Sequence, residues 1–133
     1  MAHWLIKSEP DTWSWDQHVK KGADAWTGVR NHQAKAHLKA MKKGDKAFFY
    51  HSVTGKEIVG IVEVSEAGLP DPKDGAWAAV KIAPVQALER PVTLAEIKGD
   101  KSLAEIELVR LSRLSVAEIR PDEWDRICSL AKG

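Results

Sequence analysis

Short apolar runs of two kinds follow one another along this chain, and each kind predicts a different element. Trp4-Leu5-Ile6, closed by Pro10, reads as a first strand. Asp11 or Thr12 stands where a cap belongs for a short helix over Trp13 to Val19, ended near Gly22. The segment Ala25-Trp26-Thr27-Gly28-Val29-Arg30 has neither period and is expected to be a loop. From about Asn31 to Lys43, Ala34, Leu38 and Met41 recur at helical spacing, with Asn31 in the N-cap position and Gly44 just past the end.

After Lys46 the pattern changes to strands. They are expected at Ala47-Phe48-Phe49-Tyr50-His51, at Ile58 to Val64 and at Trp77 to Ile82, separated by turn-rich connections around Gly55 and from Gly68 to Gly75. Consecutive antiparallel pairing is the simplest arrangement of such strands. A turn of helix follows over Thr93 to Lys98, then Ser102-Leu103-Ala104-Glu105 with capping-box spacing, and Arg113 to Val116 reads as extended. Pro121 opens a closing helix whose apolar face is Trp124, Ile127, Cys128 and Ala131. The expected architecture is a small α+β domain, one unit over residues 1–133, with four or five strands in a partly closed barrel and short peripheral helices.

Composition narrows the class. A hydrophobic fraction of 44% with 29% charged residues is that of a soluble globular protein, and no apolar stretch is long enough to span a membrane. The first residues lack the basic and apolar regions of a secretory signal, so an intracellular, cytoplasmic protein without a membrane partner is expected. A single cysteine, Cys128, leaves no intramolecular disulfide and no cysteine-rich zinc cage. His32 and His37 diverge on their helix, and no other cluster has ligand spacing, so neither metal nor cofactor is expected.

Charge changes the picture more than its net value of +1 suggests. Lys20, Lys21, Arg30, Lys35, Lys39, Lys42, Lys43 and Lys46 fall in one stretch opposed only by Asp24 and Asp45, while Glu89, Glu96, Glu105, Glu107, Glu118, Asp122, Glu123 and Asp125 gather later in the chain. Lys35, Lys39 and Lys42 form a stripe beside the apolar face of the second helix, as a phosphate-binding surface would require. Solvated lysines on an ordinary surface helix give the same pattern.

Six tryptophans, against two phenylalanines and one tyrosine, add the second ingredient of base recognition. Trp4, Trp77 and Trp124 are expected in the core. Trp13, Trp15 and Trp26 lie beside the basic segment, and Trp26 is joined within a few residues by Arg30 and Asn31, a stacking face with a cation and an amide. Asn31 serves equally as an ordinary cap or as a ligand contact. His51 and Ser52 are adjacent on a strand and point to opposite faces, so they make no catalytic dyad. The chain therefore reads as non-catalytic. Two alternatives stand beside a nucleic-acid reader: a pocket for a free nucleoside or metabolite, which uses Trp26 without the lysines, and a hydrolase drawing on Glu9, His51 or Ser52.

Several segments together resemble the EVE domain of the PUA-like superfamily. They are Trp4-Leu5-Ile6-Lys7-Ser8-Glu9-Pro10, Trp26-Thr27-Gly28-Val29-Arg30-Asn31-His32-Gln33-Ala34, Phe49-Tyr50-His51-Ser52, Arg90-Pro91-Val92-Thr93-Leu94 and Ser112-Arg113-Leu114-Ser115-Val116. The resemblance implies a small, mostly antiparallel β-barrel of about five strands. It also implies a reader that flips a modified base, 5-methyl- or 5-hydroxymethylcytosine in DNA, into an aromatic pocket; apart from the resemblance, RNA stands as the alternative nucleic acid and a monomer is expected. Carried onto this chain it puts Ser8, Trp26, Val29, Arg30, Asn31, His51 and Ser52 at the pocket, with Lys7, Gln33 and Trp13 as secondary candidates.

Overall fold

The computed structural model describes residues 3–11, 13–26, 32–52, 55–110 and 115–132. Six strands are present among them: β1 (His3–Ser8), β2 (Asp24–Trp26), β3 (Lys46–His51), β4 (Glu57–Pro70), β5 (Ala78–Thr93) and β6 (Val116–Ile119). The helices are α1 (Trp15–Lys21), α2 (His32–Ala40), α3 (Leu94–Lys98), α4 (Glu107–Arg110) and α5 (Pro121–Ala131), with a 3-10 turn at Lys101–Leu103. The strands form one sheet in the order β2-β5-β4-β3-β1-β6. All neighbours run antiparallel except β1 and β3, which are parallel with Ser8 opposite His51. The fold is α+β and PUA-like, as expected, and the three strands after Lys46 pair consecutively and antiparallel, as their turn-rich connections predict; the parallel β1–β3 pair is an addition the pattern did not give. The segment holding α1, β2 and α2 is the crossover connection that parallel strands need.

Local chemistry explains where elements start and stop. Ser14, not Asp11, caps α1: its hydroxyl accepts from Gln17 N at 3.2 Å and Gln17 Oε1 accepts from Ser14 N at 2.7 Å, a reciprocal capping box. Thr12 and Asn31, the other expected caps, lie outside the described residues. Thr93 and Glu96 make a second capping box at α3, whereas the expected Ser102–Glu105 box is replaced by Asp100 capping the 3-10 turn. The buried Asp45 closes the turn after α2, accepting from Lys42 N at 3.0 Å and from Trp4 Nε1 at 3.1 Å.

The sheet separates two cores. On its first face Trp4, Ile6, Phe49, Val62 and Val80 pack under α1 and α2 through Trp15, Ala34 and Leu38. On its second face Leu5, Phe48, Tyr50 and Ile58 meet Ile97, Ile127 and Trp124, whose ring stacks on Phe48 at 3.9 Å. Alternation along β1 and β3 assigns neighbours to opposite faces. In β4 that alternation slips, because register shifts between Ile58 and Gly60 and between Ile61 and Val62 insert bulges that bend the strand. Among the described residues no helix is long and apolar enough to cross a membrane.

Candidate functional site

Phe49, fully buried on the first face, is the hub of an aromatic cluster. Trp15, Trp26 and His51 meet its ring edge-on at 5.4, 6.0 and 5.9 Å, and His18 stacks on it at 5.6 Å. Trp13 meets His18 edge-on at 6.2 Å. Each ring arrives by a separate route. Phe49 and His51 are alternate residues of β3; Trp15 and His18 are one helical turn apart on α1; Trp26 ends β2, held opposite Val80 of β5.

One glycine makes the cluster possible. Gly60 of β4 lies opposite Phe49, and a Cβ there would stand 2.5 Å from the Trp15 ring. The indole rests against bare backbone.

Hydrogen bonds fix the segment from Trp13 to Trp15 on the ends of β1 and β3. Trp15 N donates to His51 Nε2 at 3.0 Å, Trp13 Nε1 donates to His18 Nδ1 at 3.2 Å, and the buried Ser8 hydroxyl donates to the Trp13 carbonyl. Both imidazoles accept and are therefore neutral, with the proton on Nδ1 of His51 and on Nε2 of His18. Burial lowers the pKa of each. Glu57 and Asp16 oppose that shift at His51, and Asp24 with the Ile82 carbonyl opposes it at His18. His18 Nε2 is buried and, although the Ile82 carbonyl influences it, has no partner at hydrogen-bond geometry. Trp13 and Trp26 stay half-buried, packed against the edge of this core.

The residues expected at the pocket divide. Ser8, Trp13, Trp26 and His51 belong to this cluster, Ser8 by holding the Trp13 carbonyl. Lys7 and Ser52 do not; they line a separate cavity on the second face with Tyr50. Val29, Arg30 and Asn31 lie outside the described residues, and Gln33 is exposed in the first turn of α2. The separation of His51 from Ser52 agrees with the alternation argument against a dyad. Among the described residues no three His, Cys, Asp or Glu side chains gather into a metal site. Burial, joined by the Asp125 carboxylate, raises the Cys128 thiol pKa and so favours the thiol over the thiolate.

The lysine stripe is only partly a stripe. Lys35 and Lys39 lie one turn apart on α2, but Lys42 falls beyond the helix end, because α2 stops at Ala40 rather than Lys43. Sequence reasoning missed their neighbour. Trp77, expected in the core, is half-buried in the turn before β5, with Lys35 Nζ 5.2 Å from its ring centre and the His32 ring at 5.1 Å. Its turn-rich flank, Pro70 to Gly75, was the available signal: a tryptophan that ends a hairpin turn has few strand neighbours to bury it. Trp4 and Trp124 are buried as expected.

The model of the EVE domain family matches residues 2–130. The chain belongs to the EVE domain family. Its sequence is 31% identical to chicken thymocyte nuclear protein 1 over 97% of this chain and 68% of that protein. Among solved structures, a Rhodopseudomonas palustris protein determined by NMR is 50% identical, with a TM-score of 0.95 over 99% of this chain and 94% of that one. Human THYN1 protein in complex with DNA containing 5-methylcytosine is 28% identical, with a TM-score of 0.89 over 100% of this EVE domain and 99% of the human chain.

Proposed function

We propose that this EVE domain is a non-catalytic nucleic-acid reader that holds a flipped modified base, 5-methyl- or 5-hydroxymethylcytosine in DNA, against Trp26. The observation that carries the proposal is the aromatic cluster around Phe49, which leaves Trp13 and Trp26 at a half-buried rim. The 5-methylcytosine DNA bound by human THYN1 supports the ligand class. The base stacks on Trp26, with Trp13 as the second wall and the His51 N–H as a polar contact. Stacking of this kind contributes about 1–3 kcal/mol per base. Lys35, Lys39 and Lys42 attract the strand through its phosphates, a term that depends on salt and not on sequence. The domain acts as a monomer, one unit over residues 1–133, inside the cell.

Discrimination rests on one methyl group, worth roughly 1–3 kcal/mol, or about 10 to 200-fold. In anisotropy titrations with matched oligonucleotides, Trp26→Ala abolishes the preference for modified over plain cytosine. Lys39→Ala weakens every oligonucleotide alike and reduces the slope of log affinity on log salt by about one. Equal binding of modified and plain DNA by the unaltered protein would overturn the base-reading claim. Binding of neither would overturn the nucleic-acid partner.

A further inference from the structure

On the second face, at the same end of β1 and β3 as the aromatic cluster, lies a cavity of about 550 Å³ whose polar lining is Lys7, Tyr50, Ser52, Lys56 and Lys98. Its three lysines come from three parts of the chain. Lys7 comes from β1, opposite Tyr50 in the parallel ladder, and Ser52 extends that ladder by donating its N–H to the Ser8 carbonyl at 2.9 Å. Lys56 precedes β4 in a left-handed conformation, φ 47°, pinned by its carbonyl, which accepts from Leu94 N at 2.9 Å. Lys98 ends α3.

Like charges gathered around one concavity repel each other, and a soluble surface ordinarily spreads them or interleaves carboxylates. No carboxylate is among the described lining residues. Glu96, next on α3, is held by Arg90 through two bonds of 2.8 and 2.9 Å. The lining offers donors almost exclusively. Besides three ammonium groups there are two hydroxyls, and burial raises the Tyr50 pKa, keeping its phenol protonated. Burial lowers the Lys7 pKa. Convergent donors with positive charge fit a tetrahedral oxyanion, whose several oxygens accept at once; a single carboxylate would leave donors unused.

We propose that this cavity binds phosphate, either a phosphate of a bound nucleic-acid strand or a free phosphate monoester. Its volume is that of an ordinary small-ligand pocket, enough for a phosphate with an attached sugar. It lies across the sheet from Trp26 and shares no residue with that cluster, so the two readings stand or fall separately.

The test is an NMR titration of the ¹⁵N-labelled protein with inorganic phosphate at constant ionic strength, using chloride as the reference anion. Phosphate produces saturable shifts at the Tyr50, Ser52 and Lys98 amides. In the Lys56→Ala, Lys98→Ala double variant, which alters two exposed side chains, the affinity falls about ten-fold or more while the Phe49 and Trp15 signals stay in place. Trp26→Ala leaves phosphate binding unchanged. No saturable shift, an equal response to chloride, or undiminished affinity in the double variant would each overturn the site. Displacement of phosphate by an unmodified oligonucleotide upholds it as a strand contact. Displacement by deoxycytidine monophosphate but not by the oligonucleotide upholds it as a site for a free monoester.

Discussion

At Gly60 the chain carries no side chain where the Trp15 ring needs the space, and a methyl group there would sit 2.5 Å from the indole. Backbone on one side and the Phe49 hub on the other leave the ring nowhere to retreat. Gly60→Ala therefore destabilises the protein by about 1–3 kcal/mol, the usual cost of overpacking, read as a lower denaturant midpoint with an altered tryptophan emission spectrum. An unchanged midpoint would mean that Trp15 is not confined by β4. Nothing in the sequence marks this glycine, since it stands inside an apolar run that reads as an ordinary strand. Trp26 stood out in the sequence for another reason: it lies in a stretch without either period, with Arg30 and Asn31 a few residues on. Trp77 shows the limit of that reasoning, because a tryptophan beside a strand looks the same whether the strand's end buries it or leaves it half-open to Lys35 and His32.

Among the elements, α1 owes its placement to two neutral histidines, and this makes it sensitive to acid. Both imidazoles have pKa values lowered from 6.5 in the folded chain by burial. Below that value the unfolded chain takes up protons that the folded chain refuses. Stability is therefore fully present above about pH 6.5, declines as pH falls below it, and levels off once the folded imidazoles themselves titrate. His3, half-buried beside Trp124, adds in the same sense. Denaturant midpoints measured between pH 5 and 7.5 should show this decline. His51→Gln, whose amide oxygen can still accept from Trp15 N, should reduce it; a decline of the same size in that variant would acquit His51. The caps were the partly readable feature. Thr93 with Glu96 sits at the start of a turn the sequence already marks, while at α1 the choice between Asp11, Thr12 and Ser14 depends on where β1 releases the chain. β2 was read as a loop because three residues carry no period; its strand character comes from its partner, with Asp24 opposite Ile82 and Trp26 opposite Val80.

For the whole molecule, the division into two faces follows from alternation along β1 and β3, and it separates what the sequence places side by side. His51 joins the aromatic cluster and Ser52 the lysine-lined cavity, one residue apart in the chain and on opposite sides of the sheet. Strand number and fold class were close to legible, since the turn signals count the strands. Strand order was not, because periodicity records which residues are buried and not which strand lies next to which. The parallel β1–β3 pair is where that difference shows. β1 is also flanked on its other edge by β6, whose residues Val116 to Ile119 are among the most distant from it in sequence. The β3, β4 and β5 strands join through local turns and can pair early, whereas both neighbours of β1 demand long loop closures and come late. Ser8 and His51 anchor the Trp13 to Trp15 turn from β1 and β3, so the aromatic site needs this pair to be formed. That turn is thus clamped from two strands that the sequence keeps far apart, and it loses an anchor whenever either strand is left unpaired.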